Sequence, residues 1–475
     1  MKLTSILLVA ISFFSTSVTS WGQATGDYRS LKSGLWSDPN TWQRFNGIQW
    51  KKVTSFPGFS DGTISILGGD TVISNADVMV DQVVVNIGGT LMITTSPSRF
   101  ILHDGVGTDL ICNGTMSVDA NAQIINDTTS GSSLSSIAYN NAVLTNNGGI
   151  GPAITFKGIV LQKIAGNGYM GPLILNNSTN LQITGSTSCR SLQFIDGKVL
   201  VKGNGKLIVD QYGNTFSGQN ATRFIEGTVV CVIYDTAKVS FSLPVGSNNS
   251  YLPMTFSVKQ DAAVQTGFQV NIVDSPSISR TLPPSLDKIS AVRFYKIRRL
   301  PSLPASNILE SSLQLSYNND DSVTDPLSLR IAKSNGSNWV NVGGKGTGSP
   351  AGTITSSKNF TIVGNFVLAN ATGGTNPLDK LRWNKILPTT FQNNQKLSLF
   401  SNPVKNNLQL IYNDKNSDVL EISVYDLRGI LLINTVSVAN KMESINLDAL
   451  QSGCYSVVVK NKTSGKISVK RFVKN

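Results

Sequence analysis

The chain has 475 residues, enough for about three domains, and 40% of its residues are hydrophobic while only 14% are charged. Four glutamates in the whole sequence leave few strong helix-forming side chains, which excludes a mainly helical protein and favours an all-β fold rich in Gly, Asn, Ser and Thr. The net charge of +12 is spread along the chain without clusters that alternate basic and aromatic residues, so we expect no nucleic-acid partner.

Residues 1–24 have the layout of a secretory signal peptide. A lysine at the second position precedes an apolar run at 3–14 and then a small, polar stretch. Gly22 and Ala24 are small residues at the positions that a signal peptidase reads, which predicts cleavage after Ala24, with Ser20 as the alternative. Further along there is no apolar run of about 18 residues, so we expect no transmembrane segment.

The mature N-terminus is dense in aromatic side chains, among them Trp36, Trp42 and Trp50. The flat apolar face of a tryptophan can stack on a sugar ring, so these three residues are candidate glycan contacts. Alternatively, they cap the open end of a solenoid, where an exposed core has to be covered. We favour the cap, because this opening resembles the start of secreted Bacteroidetes β-solenoid proteins.

Residues 25–221 are predicted to form a β-solenoid that carries this aromatic N-terminal cap. Short apolar strands alternate with Gly or Asn corners, and Gly-Thr corners at 89–90 and 114–115 recur about one coil apart. One coil buries few side chains, but coils stacked about 4.8 Å apart share a continuous core. A pair of β-sandwiches is the alternative.

The pattern changes near residue 222. Strands interrupted by prolines, such as Pro244 and Pro253, predict edges and corners of a β-sandwich module over residues 222–370. Residues 371–394 contain Gly373, Gly374 and two prolines, which predicts a linker to a last domain.

Residues 395–475 are predicted to form a small Ig-like β-sandwich. Short apolar strands recur about every ten residues and are bounded by Gly, Asn or Ser. In the last strand, Ile467 and Val469 lie on one face and lysines on the other, which predicts a half-buried edge strand protected by lysines.

Four motifs follow one another in this last segment. They are SLFSNPV at 398–404, VYDLRG at 424–429, LQSGCY at 450–455 and the basic close KRFVK at 470–474. In this order they resemble the type A C-terminal sorting domain of the type IX secretion system of Bacteroidetes. Ser401 stands where the family commonly has proline, and Cys454 where it commonly has an aliphatic residue.

This resemblance implies export through the periplasm and a dedicated outer-membrane translocon to the cell surface or the medium. The partners it implies are that translocon and the processing peptidase that removes the domain. The residues that match the sorting motifs are Asn402, Pro403, Tyr425, Asp426, Gly429, Gly453, Tyr455, Lys470, Arg471 and Lys474.

Residues able to carry catalysis are scarce. His103 is the only histidine, so a Ser-His-Asp triad could be built only there and a multi-histidine metal site not at all. Asp81, Asp104 and Asp127 recur at equal intervals, and stacked on one solenoid face they would supply the carboxylates of a polysaccharide lyase or hydrolase. We favour turn aspartates over this alternative and expect neither a metal nor a cofactor.

Two further patterns leave alternatives open. The loop at 318–325 offers Asp and Asn oxygens that suit calcium, but it lacks the EF-hand pattern, and we favour a solvated loop. Export permits disulfides, and Cys112, Cys189, Cys231 and Cys454 allow three pairings, none of which the sequence selects. Single buried thiols are our expectation, for Cys454 in particular.

The sequence therefore favours a non-enzymatic, exported protein that is adhesive or binds glycans or surface polysaccharide along its solenoid. This hypothesis rests on a repetitive architecture that lacks the usual catalytic groups. The alternative is a secreted carbohydrate-active enzyme that uses the solenoid aspartates.

Overall fold

The computed structural model describes residues 23–94, 99–105, 107–127, 135–213, 215–277, 280–301, 303, 306–378, 397–400, 402–414, 416–426 and 431–475. The chain divides into two compact units, residues 1–380 and 381–475. The described segments contain β-strands and short 3₁₀ turns at Pro39–Thr41, Asn319–Asp321 and Pro326–Ser328. The predicted all-β class is confirmed, whereas the predicted signal peptide lies, apart from its last two residues, outside the described residues.

The first strands build a cap on the solenoid. They are β1 (Tyr28–Ser30), β2 (Gly34–Leu35), β3 (Trp42–Phe45) and β4 (Trp50–Lys52). Strands β1, β3 and β4 pair antiparallel. Strands β1 and β2 also pair in parallel with strands of the following coil, so the cap continues directly into the stack.

The predicted β-solenoid is confirmed as a stack of parallel coils. Its strands are β5 (Ile64–Ile66), β6 (Thr71–Ser74), β7 (Val78–Val80), β8 (Val83–Val85), β9 (Thr90–Ile93), β10 (Arg99–Leu102), β11 (Leu110–Cys112), β12 (Thr115–Val118), β13 (Gln123–Asn126), β14 (Ser136–Tyr139), β15 (Val143–Asn146), β16 (Gly149–Ile150), β17 (Ala153–Phe156), β18 (Gln162–Ala165), β19 (Tyr169–Asn176), β20 (Leu181–Ile183), β21 (Ser186–Asp196), β22 (Val199–Val201), β23 (Lys206–Asp210), β24 (Thr215–Ser217), β25 (Ile225–Glu226), β26 (Val229–Ile233), β27 (Val239–Leu243) and β28 (Val245–Ser247).

Apart from β27, which joins another sheet, these strands form three parallel rows. The first row runs through β7, β10 and β13 to β26, the second from β5 through β8 and β11 to β24, and the third from β2 through β6 and β9 to β28. Strands β19 and β21 are long enough to serve both the first and second rows. Alternate side chains of each row, for example Val83 and Val85, point inward and are buried.

Glycine is required where corners of successive coils touch. A Cβ atom on Gly114 would lie 2.3 Å from the carbonyl oxygen of Gly89, in the corner one coil earlier. Thr90 and Thr115, which follow these glycines, are partners in the third row. The predicted one-coil recurrence of the Gly-Thr corners therefore corresponds to direct stacking, and the glycines permit the close approach of the two backbones.

The parallel stack extends past the boundary predicted between residues 221 and 222. Ile225 pairs in parallel with Val199 and with Val245, so the third row continues into β28. The end of the stack is covered, because β26 pairs antiparallel with β31 of the middle module. All five side chains of β26, VVCVI, are buried, and this continuous apolar run marks where solenoid and module merge.

The middle module contains two antiparallel sheets, as in a sandwich. Its further strands are β29 (Ser250–Tyr251), β30 (Met254–Gln260), β31 (Thr266–Val273), β32 (Leu286–Ile289), β33 (Phe294–Arg299), β34 (Ile308–Tyr317), β35 (Leu329–Asn335), β36 (Asn338–Gly343), β37 (Gly352–Thr355) and β38 (Gly364–Ala371). Strands β27, β30, β34 and β37 form one sheet, and β31, β33, β38, β35 and β36 extend the first row of the solenoid. One hydrophobic core spans Tyr28 to Leu378.

Residues 371–378, which were predicted as the start of the linker, belong to the first unit. Asn376 is buried and donates to the carbonyl oxygen of Asp325 at 2.7 Å and to Asn370 Oδ1 at 2.7 Å. The amide of Ala291 donates to the carbonyl oxygen of Leu378 at 2.9 Å. These contacts tie residues 371–378 to the first unit, and the rest of the predicted linker lies outside the described residues.

The second unit is the predicted small C-terminal β-domain. Its strands are β39 (Leu397–Phe400), β40 (Asn407–Tyr412), β41 (Val419–Asp426), β42 (Leu431–Val438), β43 (Met442–Asn446), β44 (Gly453–Asn461) and β45 (Ile467–Lys474). They form a three-stranded sheet, β39-β40-β43, and a four-stranded sheet, β42-β41-β44-β45. A separate hydrophobic core runs from Leu397 to Phe472.

Candidate functional site

The first and last motifs of the C-terminal domain meet at the edge of its four-stranded sheet. Asn402 Oδ1 accepts from the amide of Val473 at 2.8 Å, and Asn402 Nδ2 donates to the carbonyl oxygen of Arg471 at 3.3 Å. Val404 adds a bridge, because its amide donates to the carbonyl oxygen of Val473 at 2.8 Å. The Asn-Pro motif at 402–403 therefore holds the end of β45 in place.

The other motifs lie on neighbouring strands in matching register. Asp426 is the cross-strand partner of Tyr455, and Tyr455 is the partner of Phe472. The Tyr455 and Phe472 rings stack with centroids 5.7 Å apart, and the Tyr455 hydroxyl donates to the carbonyl oxygen of Gln451 at 2.6 Å. Tyr425 pairs with Ser456 on the same strands. Gly429 lies outside the described residues.

The basic close of the domain offers positive charge at the sheet edge. Lys470 and Arg471 are exposed and Lys474, the partner of Gly453, is half-buried. None of the three pairs with an acidic side chain in the part of the chain that the structure describes. The predicted facing of β45 is wrong, because Ser468 and Phe472 point inward while Val469 is exposed. Lys470 lies on the inward row next to Val457 but reaches solvent at the open edge.

The structure contradicts two of the three predicted glycan contacts. Trp36 and Trp42 are fully buried, with ring centroids 4.9 Å apart in an edge-to-face arrangement. Their indole nitrogens donate to the carbonyl oxygens of Pro57 and Trp36 at 3.1 and 2.7 Å. Trp50 is half-buried and the Arg29 guanidinium lies 4.4 Å from its ring centroid. The tryptophans pack the cap, because covering the first coil requires large apolar side chains.

A charged ladder crosses one corner of the solenoid, between the first and second rows. We define it by Asp81, His103 and Asp127, which follow β7, β10 and β13 at the same position of three successive coils. The amide of His103 donates to the carbonyl oxygen of Val80 at 2.7 Å, and that of Asp127 to Leu102 at 2.8 Å.

The equal sequence spacing of Asp81, Asp104 and Asp127 does not give the true register. Val78 pairs with Phe100 and Phe100 with Ile124, so these two coils contain 22 and 24 residues. The middle position of the ladder is therefore His103, with Asp104 next to it. Coil length varies because corner loops can lengthen without changing the strands.

The contacts of the ladder suit proton transfer. His103 Nδ1 lies 2.7 Å from Asp127 Oδ2, and the exposed fraction of the side chain is 30% for His103 and 2% for Asp127. The Phe59 ring lies 5.3 Å from the imidazole. Asp81 Oδ1 is buried without a hydrogen-bond partner, and burial followed by the nearby Asp109 charge raises the pKa of the Asp81 carboxyl. A buried carboxylate that orients a half-exposed imidazole is an arrangement used in general base catalysis.

The candidate calcium loop is built around an arginine. Arg293 is 3% exposed, and its Nε lies 3.1 Å from Asp321 Oδ1. The other guanidinium nitrogens lie 3.4 Å from Asp320 Oδ2 and 3.8 Å from Asp274 Oδ1. Asp321 is fully buried whereas Asn319, Asp320 and Thr324 are exposed, so the expected solvated loop is solvated only in part. The guanidinium supplies the positive charge that these carboxylates need. Among the described residues, no three His, Cys, Asp or Glu side chains are placed to hold a metal ion.

All four cysteines are free thiols. Cys112, Cys189 and Cys231 are buried, as expected for single thiols in strands. Cys454 is exposed, so its predicted burial is wrong. Its neighbour Tyr455 takes the inward position on β44, and adjacent residues of a strand point to opposite faces.

One surface feature escaped the sequence analysis. Tyr212 is 74% exposed, and its ring stacks on that of Tyr234 with centroids 5.7 Å apart and an angle of 13° between the planes. The two tyrosines are one coil apart, since Asp210 and Val232 are cross-strand partners. Tyrosines recurring at the coil period, just after apolar strands, are the signal that would have found them.

The comparisons with known proteins concern the C-terminal domain. Residues 398–475 match the protein-family model of the secretion system C-terminal sorting domain. No curated protein and no solved structure matches the chain. In the described part of the chain, no helix has the length and apolar character to cross a membrane. Residues 398–475 are therefore a C-terminal sorting domain of the type IX secretion system, and the chain is cargo that this system exports to the cell surface or the extracellular space.

Proposed function

We propose that the exported chain is a non-enzymatic, adhesive or glycan-binding protein that makes contact through the outer side of its solenoid. The observation that carries this proposal is a set of large side chains left on the outside of a solenoid whose core is already filled. Ile159, Tyr169, Ile195 and Tyr212 are all exposed. Contiguous exposed apolar patches on soluble proteins mark interaction sites, and we infer that these side chains contribute to such a patch.

The route to the surface forms part of the proposal. The sorting domain engages the secretion translocon, and the processing peptidase of that system then removes the domain. Residues 1–24 direct the chain to the periplasm first and are cleaved there. The mature solenoid and its middle module share one core, which supports a stable body that remains folded once the sorting domain is gone.

A glycan array and a cell-adhesion assay test this function. Full-length protein without residues 1–24 is expected to bind at least one glycan class or to adhere to cells. The heat-unfolded protein serves as the control for non-specific binding. Blank results in both assays would remove the proposal.

The second candidate is a secreted carbohydrate-active enzyme, and the charged ladder favours it. His103 is bonded to a buried carboxylate, and Asp81 and Asp104 lie in the same corner. In this candidate the His103 imidazole acts as general base on a glycan. Asp81, whose carboxyl pKa is raised by burial, acts as general acid.

A polysaccharide panel separates the two candidates. Turnover by the wild type that falls at least about a hundredfold in both Asp127→Asn and Asp81→Asn would establish the enzyme. Absent turnover, or turnover unchanged by both substitutions, would exclude the ladder as its site.

A further inference from the structure

We propose that Tyr212, together with Tyr234 and Asp235, is a binding site for uncharged glycans. The inference rests on the proposed function, because it names the site and the ligand class for the contact made by the solenoid. The ligand we infer is a hexopyranose unit whose apolar ring face stacks on Tyr212. We call these three residues the tyrosine platform.

The platform offers an aromatic face that the protein leaves uncovered. Tyr212 is the most exposed aromatic side chain among the described residues, at 74%, and its near-parallel stacking on Tyr234 occupies only one side of its ring. Stacking on a second ring also fixes the orientation of the first. An aromatic face held in this way binds the C–H face of a sugar at a small cost in side-chain entropy.

The turn that carries Tyr212 is rigidly held. Asp210 Oδ1 accepts from the amides of Tyr212 at 2.9 Å and Gly213 at 2.8 Å. A Cβ atom on Gly213 would lie 2.6 Å from the carbonyl oxygen of Arg190, so the turn packs directly on the coil before it. On the next coil, the amide of Tyr234 donates to Gln211 Oε1 at 2.8 Å. The two tyrosines are thus fixed before any ligand arrives.

A carboxylate lies next to the ring for hydrogen bonding to sugar hydroxyls. Asp235 Oδ2 accepts from Gln211 Nε2 and from the Tyr212 hydroxyl at 3.4 Å, and Asp235 Oδ1 accepts from the amide of Ala237 at 3.0 Å. Each carboxylate oxygen can accept more than one hydrogen bond. Since the Asp235 carboxylate hydrogen-bonds to the Tyr212 hydroxyl, an anionic sugar stacked on that ring would meet a like charge, and we infer that the ligand is neutral.

Titration calorimetry with the full-length chain tests the platform. The probes are neutral cello-, xylo-, manno- and malto-oligosaccharides, with oligogalacturonate as the anionic comparison. We expect one neutral series to bind, oligogalacturonate to bind more weakly, and Tyr212→Ala to weaken binding about tenfold, since one aromatic contact is lost. Tyr212→Phe keeps the ring and is expected to stay within about threefold of wild type.

Leu327→Ala is the matched control, because Leu327 is 67% exposed on the middle module and its truncation removes exposed apolar surface elsewhere. Unchanged thermal unfolding of Tyr212→Ala would show that the fold is intact. If Tyr212→Ala binds like wild type, the platform is wrong while the proposed function stands. If cells adhere but no oligosaccharide binds, or if Tyr212 instead mediates self-association in sedimentation, the glycan site is overturned. Blank binding and blank adhesion together would remove both proposals.

Discussion

At the residue scale, the four cysteines show how the face of a strand sets side-chain chemistry. Burial raises the pKa of the Cys112 thiol to about 12 and that of Cys189 to about 12, and it raises the pKa of Cys231 well above its ordinary value. Cys454 is exposed on the outer face of β44. Because the thiolate is the reactive form, the first three thiols are protected both by burial and by protonation.

Thiol labelling tests this difference. In native protein at pH 8, one thiol per chain is expected to react with an aromatic disulfide reagent within minutes. After unfolding in guanidinium chloride, all four thiols are expected to react. A pKa three units higher lowers the thiolate fraction about a thousandfold. Cys454→Ser should abolish the fast phase. Rapid reaction of two or more thiols in the native protein would contradict the described burial.

Asp81 is the second residue whose surroundings give a measurable consequence. Burial raises the pKa of its carboxyl, so the folded state favours the neutral form. Stability due to this group is fully present below the unfolded-state pKa and is lost as the pH rises through the higher folded-state pKa. Asp81→Asn replaces the carboxyl group with an amide that is neutral at every pH.

We therefore expect Asp81→Asn to raise the melting temperature at pH 7 by about 1–2 °C, since the neutral amide avoids the cost of burying a charge, on the order of 1 kcal/mol, in a unit of this size. The gain should shrink as the pH falls towards about 4, where the wild-type carboxyl is protonated. Asp104→Asn, on the same corner, is the control. A gain that is the same at pH 7 and pH 4 would show that the charge of Asp81 is not its source.

At the scale of elements, the sequence predicted the type of structure correctly, but it did not predict where the solenoid ends. Alternating apolar residues and recurrent Gly-Thr corners sufficed for the solenoid, because each coil follows the same local rules. The end of the solenoid was missed, because the far side of β26 is covered by β31 of the middle module, and the sequence of β26 alone does not show this pairing. Composition alone could not distinguish a strand that ends the solenoid from one that continues into the next module.

The candidate sites were also only partly predictable from the sequence. Trp36 and Tyr212 are both aromatic residues near turns, yet one is buried and the other exposed. The alternative that stacked Asp127 with other carboxylates rested on equal spacing, but the partner of Asp127 is His103, because the two coils differ in length. The sorting motifs were found because their order is specific, whereas the contact between Asn402 and the last strand needs the folded chain.

That contact gives a prediction for the element that it holds. Asn402→Ala removes the acceptor for the Val473 amide and the donor to the Arg471 carbonyl oxygen, so the end of β45 should fray. We expect amide exchange over residues 470–475 to become about tenfold faster, equivalent to about 1.4 kcal/mol, which is typical for the loss of two partly exposed hydrogen bonds. Hydrogen-exchange mass spectrometry of the full-length chain measures this.

Asn407→Ala is the matched control, because Asn407 is exposed on β40. Exchange that is unchanged in Asn402→Ala would mean that the parallel bridge from Val404 to Lys474 holds the strand alone. Faster amide exchange across the whole domain would instead show that Asn402 contributes to the stability of the domain core.

At the scale of the whole molecule, the two compact units have separate hydrophobic cores. The core that spans Tyr28 to Leu378 contains the solenoid and the middle module, and the core from Leu397 to Phe472 belongs to the sorting domain alone. A domain with its own core can fold without its neighbour. The sorting domain can therefore be removed without breaking the core of the first unit.

Deleting residues 396–475 is the direct test. The truncated protein keeps the complete first core, so it should fold and accumulate in the periplasm, while the wild type reaches the cell surface or the medium. Immunoblots of periplasm, surface and medium measure the distribution, and protease resistance of the periplasmic protein shows that it is folded. Full-length Asn407→Ala controls for expression, since it alters an exposed residue of the domain without removing its motifs. If truncated protein reached the exterior at the wild-type level, residues 398–475 would not be the export signal of this chain.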